Sequence, residues 1–449
     1  MAGVMSALAV ATLVAAPSAP AAAAGDPAPA EQVETTTPIK HFLVLMQANH
    51  SFDNYFGTYP GADGIPADTC LPIDPTGKDG ACAKPFHLAD QAIAPMGQSP
   101  AVHAEQYNDG KMNGFVSAFR HFGGVGKQPM GYYDDRDIPY YWNVADNYVL
   151  FDKLFSSAAG ASVWNHMFWV SGGPGNPDAD ALPKTGLDAV PTIFDRLQAA
   201  GISWKFYVQN YRPEINYRTP GSGNAAAQLV RVPLLNFARF LDDPALNSRI
   251  VDLSQYDQDL KDGTLPSVSF MVPSGPSEHP PGSIKAGQNF VRSLIDGLMT
   301  SSAWNSSAFM WTYDDWGGWY DHVPPPSVDK YGYGFRSPAL LVSPYARKGY
   351  VDHTQLDFTS QLKFIENNWK VAPLATRDAD ASDITSAFDF NSPPRETTLL
   401  GTSREPTAPH TNPSSVVYIS YGLAVLLLAL VLAATALRLR RKFPREEMA

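Results

Sequence analysis

Residues 313 to 326, YDDWGGWYDHVPPP, constrain this chain most, because they set two adjacent carboxylates at the end of an apolar segment. Ala308, Phe309, Met310, Trp311 and Thr312 predict a buried strand, and Asp314 and Asp315 follow at once, ahead of a Gly317-Gly318 turn. In open α/β sheets, ligands bind at the carboxyl ends of the parallel strands. Two carboxylates placed there repel each other unless a cation or a shared proton holds them. The pair therefore points to a divalent metal with oxygen ligands, against the competing reading of a solvated acidic turn.

At 449 residues and 44% hydrophobic content the chain can bury a large core, as one big domain or two ordinary ones. Its formal net charge of -11 disfavours a nucleic-acid partner and argues against electrostatic docking to anionic lipid as the main membrane attachment. Both ends read as targeting segments. Residues 1 to 24 form an Ala/Val/Leu run closed by Ala22-Ala23-Ala24, a small-residue cleavage site, although no basic residue precedes Lys40. Residues 25 to 38 read as a linker. Residues 416 to 437 carry no charge and are long enough for a transmembrane helix, and the cluster Arg438, Arg440, Arg441, Lys442 and Arg445 marks 438 to 449 as a cytoplasmic tail. The body is then expected outside the cell membrane, joined to the helix by a Pro/Ser/Thr-rich stalk over 374 to 415.

The body itself, 39 to 373, alternates strand-like and helical patterns. Strands are expected over 42 to 46, 148 to 151, 204 to 208, 268 to 272, 309 to 312 and 339 to 342. Pro191 and Gly201 bracket one helix; Val291, Leu294, Ile295 and Leu298 share a face of another, and Leu362, Ile365 and Trp369 of a third. Such alternation predicts an α/β fold with a largely parallel central sheet. The stretches 57 to 98 and 210 to 258 look like insertions over the active face. Cys70 and Cys82, the only cysteines, lie close together in the first of these, where a disulfide suits an exported protein.

A second apolar run, IKHFLVLM, leads directly into QANHSFDNYFG from Gln47. With NDGKMNGF from Asn108, LFSSAAGASVWN from Leu154, VPSGPSEHP from Val272 and SPYARKGYVDHTQLDFTSQLKFIENNW from Ser343 onward in the same order, the chain resembles the bacterial phosphoesterase family of phospholipases C and a metal-dependent acid phosphatase. That resemblance implies an alkaline-phosphatase-like α/β sandwich, with 39 to 373 as the catalytic domain.

The resemblance also implies roles. Ser162, three residues before Asn165, stands at the family's nucleophile position, although a Ser opening a helix is commonly only an N-cap. Asn49, Asp314, Asp315 and the Ser162 oxygen would ligate a divalent metal ion. His103, Glu278 and His279 would surround the phosphate, Glu278 standing where the family commonly has Asp, and Asn165 would bind substrate; His322 is a weaker substrate-binding candidate, its alternative role being to brace Asp321. Two positions depart from the pattern. Ala48 replaces the usual acidic residue before Asn49, and His166 replaces the usual Arg after Asn165. His50 is a candidate replacement ligand, and Trp316, Trp319, Tyr320, Tyr132 and Tyr133 are candidates for a choline cage.

The expected function is thus an exported, membrane-anchored, metal-dependent phosphoesterase of phospholipase C type, acting on a phospholipid or small phosphate ester. An acid phosphatase-like phosphomonoesterase is the alternative, as is a non-catalytic surface protein that lost a metal ligand at Ala48.

Overall fold

The computed structural model describes residues 27–74, 80–160, 162–275, 277–405, 424–429 and 431–432. Eight strands form the central sheet: β1 (His41–Gln47), β2 (Val149–Phe151), β3 (Trp204–Val208), β4 (Ile250–Asp252), β5 (Val268–Val272), β6 (Ser307–Tyr313), β7 (Ala339–Val342) and β8 (Tyr350–Asp352). Their spatial order is β8-β2-β7-β6-β1-β5-β3-β4. β1 lies parallel to both β6 and β5, the row β5-β3-β4 is parallel, and β8 is parallel to β2. Only β7 runs against its neighbours. The sheet is mostly parallel, as the alternation of patterns predicts.

β1 sits at the centre because Phe42, Leu43, Val44, Leu45 and Met46 are apolar without interruption, which suits a strand covered on both faces. Burial of these five side chains contributes on the order of 10 kcal/mol against an extended chain, an upper bound. Its register, Gln47 opposite Tyr313 and Leu45 opposite Met271, brings the carboxyl ends of β1, β6 and β5 to one edge of the sheet. The edge strands β4 and β8 have three residues each, too short for a periodic signal.

The helices follow their expected faces. We label them α1 (Phe52–Phe56), α2 (Pro100–Tyr107), α3 (Ser162–Ser171), α4 (Ile193–Ala199), α5 (Asn224–Arg231), α6 (Ile284–Met299) and α7 (Thr359–Trp369). Thr192 and Asp195 close a capping box at the start of α4. Val291, Leu294, Ile295 and Leu298 of α6 are buried, as are Leu362, Ile365 and Trp369 of α7.

Several boundaries move. The expected linker is tied to the body from Ala30, which is buried, through Thr37, whose hydroxyl donates to Asn368 Oδ1 at 2.7 Å. The expected stalk begins inside the body: residues to Leu400 belong to one compact unit, Arg377 pairs with Asp329 and Asp357, and Ser386 donates to Asp352. The stretch 210 to 258 is more than an insertion, since it supplies β4. In the first insertion Cys70 and Cys82 are disulfide-bonded, joining the strands Leu71–Pro72 and Cys82–Ala83 at one end. The signal segment 1 to 24 lies outside the described residues. Of the expected membrane span only 424–429 and 431–432 are described, and these are helical. Among the described residues no helix is long and apolar enough to cross a membrane.

Arg336, fully buried, ties the loops at the carboxyl edge together. It donates to Asp321 Oδ1 at 2.8 Å, to Asp53 Oδ1 at 3.1 Å, and to the carbonyls of Asp63 and Asp152, while its guanidinium lies 4.6 Å from the Phe52 ring centroid. Breaking a buried ion network by removing one sign leaves uncompensated charge, typically at a cost of about 3 to 5 kcal/mol. Arg336→Met is therefore expected to lower unfolding free energy by that amount in urea titration. A loss under ~1 kcal/mol would show that the network does not hold the loops.

Candidate functional site

The carboxyl end of β6 turns directly into Asp314 and Asp315, and the end of β1 turns into Asn49. The Asp314 backbone N–H donates to Gln47 O at 3.1 Å, so the two strand ends are clamped to each other. Asn49 adopts φ 68°, a left-handed conformation that Asn tolerates better than most residues. This aims its backbone N–H at Asp314 Oδ1, 3.1 Å away, and its side-chain Nδ2 at Asp315 Oδ1, 2.9 Å away. Gly317 (φ 62°) packs against the same turn: a Cβ there would stand 2.2 Å from Asn49 O, so glycine is required. Its N–H donates to Asp315 Oδ1 at 2.8 Å.

Ser162 opens α3 with its Oγ donating to Asp315 Oδ2 at 3.0 Å. Next along the same helix, His166 places Nε2 3.5 Å from Asp314 Oδ2. Burial and then the charge of Asp314 push the Asp315 carboxyl well above the usual range. For Asp314 burial acts in the same sense, but the His166 ring and the Ser162 hydroxyl outweigh it and hold that carboxyl below its ordinary value. Without a cation the pair thus carries one shared burden of charge, one acid ionised and its neighbour inclined to keep a proton.

The side chains fit a hard divalent cation. Asn49 Oδ1 is buried and has no hydrogen-bond partner among the described residues, an unmet acceptor beside two carboxylates and a hydroxyl oxygen. Ala48 is buried and contributes no ligand. His50 does not replace it: its Nδ1 meets Asn54 Oδ1 at 2.7 Å, its Nε2 meets the Glu278 carbonyl at 3.1 Å, and burial lowers its pKa to about 4.

Other expected residues divide. His103 lies on α2, its ring stacked on Phe335 at 4.2 Å and edge-on to Trp316 at 5.3 Å, one residue after Asp315. Its Nε2 is buried without a hydrogen-bond partner among the described residues, and burial lowers its pKa to about 4, so the ring is neutral at pH 7. His279 donates Nδ1–H to Pro280 O at 2.7 Å, which leaves Nε2 for a ligand, and its charge acts on Asp314.

Three expectations are corrected. Glu278 does not face the phosphate position: its carboxylate is fully buried and ringed by the hydroxyls of Tyr55, Tyr141 and Tyr313 and by Gln47 Nε2. Asn165 braces backbone, accepting from Ala158 N–H at 2.9 Å and donating to Gly160 O at 3.4 Å, so its amide is committed to shaping the loop before Ser162. His322 bonds Asp53 Oδ2 at 2.8 Å and Asp63 Oδ1 at 3.2 Å and joins the Arg336 network, in which the guanidinium pairs with both Asp53 and Asp321. Of the five aromatics considered for a cage, Trp316, Trp319, Tyr320 and Tyr133 are buried in packing, and Tyr132 is half-buried beside the His87 ring.

Two contacts had no clear sequence signal. Gln98, at the end of the first insertion, meets Asn49 Nδ2. Arg231, the last residue of α5, lies close enough to Asp314 for the charges to interact. Both sit in segments whose sequence reads only as insertion.

Burial pushes the Glu278 carboxyl up to about 7, while hydrogen bonds from Tyr141, Tyr55 and Tyr313 oppose the shift. Between pH 4.5, the ordinary value, and 7 the folded protein keeps a proton that the unfolded chain releases, so this group's contribution to stability falls as pH rises and levels off above 7. Wild type is expected to lose about 3 kcal/mol relative to Glu278→Gln across that window, read from urea titrations at a series of pH values. A pH-independent difference would put the carboxyl at its ordinary value.

The family model described as Phosphoesterase family matches residues 39–372. Phospholipase C B of Mycobacterium tuberculosis is 29% identical over 427 residues, spanning 80% of this chain and 79% of its own length. Non-specific phospholipase C1 of Arabidopsis thaliana is 27% identical over 406 residues, spanning 80% and 72%. A solved structure from the alkaline phosphatase superfamily of Vibrio parahaemolyticus covers 76% of this chain and 68% of its own at 13% identity, but its TM-score of 0.35 is too low to carry an argument about the fold.

Proposed function

The chain belongs to the phosphoesterase family and is a hydrolase of phosphoric ester bonds, and from that premise we propose a phospholipase C-like, metal-dependent enzyme that cleaves a phosphodiester by attack of Ser162. The observation that carries this reading is the Ser162 Oγ held 3.0 Å from Asp315 Oδ2, beside the unmet Asn49 Oδ1, at the carboxyl ends of the parallel strands. The alkaline-phosphatase-like assignment of the fold belongs to the same proposal.

Asn49, Asp314, Asp315 and Ser162 would hold the cation, which when bound lowers the pKa of a coordinated hydroxyl and screens phosphoryl charge. The chain's own residues do the rest. The hydrogen bond to Asp315 fixes the Ser162 hydroxyl, and the α3 N-terminus favours phosphate in front of it. As the Oγ–P bond forms, the P–O bond to the alcohol breaks opposite it, and the hydroxyl proton leaves to the ionised member of the Asp314–Asp315 pair. The departing alkoxide takes the Nε2 proton of His279, which has to enter this step with both ring nitrogens protonated because Nδ1–H stays on Pro280 O, and water later releases the phosphoryl group from Ser162.

Ser162→Ala is expected to reduce turnover of bis-para-nitrophenyl phosphate and para-nitrophenyl phosphorylcholine by at least ~1,000-fold, while its thermal midpoint stays near wild type, since losing a helix-start hydroxyl costs only about 0.5 to 2 kcal/mol. Asp315→Asn is expected to lose metal binding by calorimetry with Mg, Ca, Mn and Zn added singly. Near-normal turnover of Ser162→Ala moves the nucleophile elsewhere. Absence of turnover and metal binding in wild type makes the non-catalytic ligand-binding reading the better one.

We also place the body outside the cell membrane, anchored through residues 416 to 437, with the basic cluster from Arg438 inside. Support comes from sequence pattern. Protease added to intact cells is expected to degrade the body and spare a small C-terminal fragment; a protected body reverses the orientation.

A further inference from the structure

A cavity of about 640 Å³ opens beside the site, between the ends of β3 and β5 and helix α5. His279 belongs to both, lining the cavity and acting on Asp314. The remaining polar lining includes Arg231, Arg212, Gln209, Gln228 and Ser274, and the described residues that line it include no Asp, Glu, Phe, Tyr or Trp.

Arg231 is the informative member. Its hydrogen-bonding contacts among the described residues are to the carbonyls of Pro273 and Ser274, at 3.5 and 3.4 Å, both long for a guanidinium. It forms no ion pair with a carboxylate among the described residues. Burial lowers its pKa, and the charge of Asp314 opposes that shift. A largely buried guanidinium with weak partners, aimed into an open cavity, is built to receive an anion. Arg212 adds a second positive charge, on a loop latched to α5 by two hydrogen bonds with Gln228, both 2.9 Å. A quaternary ammonium needs aromatic faces or carboxylates, and this cavity offers neither.

We propose that this cavity selects esters carrying a second anionic group beyond the scissile phosphate, and discriminates against choline. The proposal rests on the phosphoesterase reading and names the substrate class for that site.

The test uses the full chain with metal supplied, in its Ser162→Ala form so that ligands persist. Glycerol 1,3-bisphosphate, phosphocholine and inorganic phosphate are titrated by calorimetry. Glycerol bisphosphate is expected to bind at least ~10-fold tighter than phosphocholine, and Arg231→Gln to bring the two within ~2-fold while inorganic phosphate changes little. If Arg231→Gln does not fold, Arg212→Gln serves, with a smaller drop in the same ratio. Equal or tighter binding of phosphocholine overturns the proposal, as does a preference untouched by either variant. Turnover of bis-para-nitrophenyl phosphate by wild type is read separately, so a working enzyme without the preference loses only this proposal. Activity on vesicles of phosphatidylcholine containing phosphatidylinositol 4-phosphate supports a lipid headgroup as the source; activity confined to soluble bisphosphate esters supports a free metabolite.

Discussion

Two buried carboxylates side by side, Asp314 and Asp315, are the constraint around which this molecule is arranged. Two unit charges about 4 Å apart repel by roughly 4 kcal/mol at an effective dielectric constant of about 20, before any cost of leaving water. The fold meets that cost with donors: the backbone N–H groups of Asn49, Asp315 and Gly317, the Asn49 amide and the Ser162 hydroxyl. The left-handed backbone at Asn49 and Gly317 follows from the need to aim those groups. The strained backbone is at Asn49, whose Oδ1 would meet a cation, and it persists because β1 and β6 are paired along their whole length just before it.

Two further buried acidic networks support this edge by opposite means. Asp53 and Asp321 remain anionic partners of Arg336, a solution that needs opposite charges and crosses loops after β1, β2 and β6. Glu278 has no cation in contact and sits among phenols, where its pKa of about 7 makes the neutral acid accessible. The first network fixes where three loops meet. The second lets the chain reverse direction at Glu278, whose φ of 63° turns the carboxyl inward, and Gly287 leaves the space it fills, since a Cβ there would meet Glu278 Cγ at 2.1 Å.

Long apolar strands were legible in the sequence because burial on both faces demands an uninterrupted run, as in β1 and β6. β4 and β8 were not, because each is only partly buried and ends in an Asp, whereas the equally short β2 is apolar and buried throughout. At the site, Asp314 and Asp315 were legible because they follow a strand end, whereas the roles expected of Asn49 and Ser162 came from the family resemblance alone; the structure brings all four side chains together. Glu278 and His279 were given a common role by the family resemblance; the positive φ at Glu278 is a backbone fact that sequence does not display, and the Glu278 carboxyl is buried among phenols while His279 lines the cavity. Asn165 and His322 follow the same lesson: polar residues next to functional ones often shape the loop that presents them. Arg231 was invisible because its importance comes from a carboxylate partner it lacks.

The departures at Ala48 and His166 are best understood together. Replacing an acidic residue by Ala removes one negative charge from the site, and replacing a permanent guanidinium by imidazole removes up to one positive charge from the same place. The His166 ring then stands 3.5 Å from Asp314 Oδ2, on the carboxylate that retains its charge. The two changes offset each other, so the electrostatic balance that a dication and a phosphate must enter is kept with fewer charged groups. His166 on α3 offers no bidentate donor, and the guanidinium that lines the neighbouring cavity is that of Arg231, on α5. The positive charge of the cavity, at Arg231 and Arg212, thus stands to one side of the Asp314–Asp315 pair, which is the charge arrangement that the proposed preference for a second anionic group rests on.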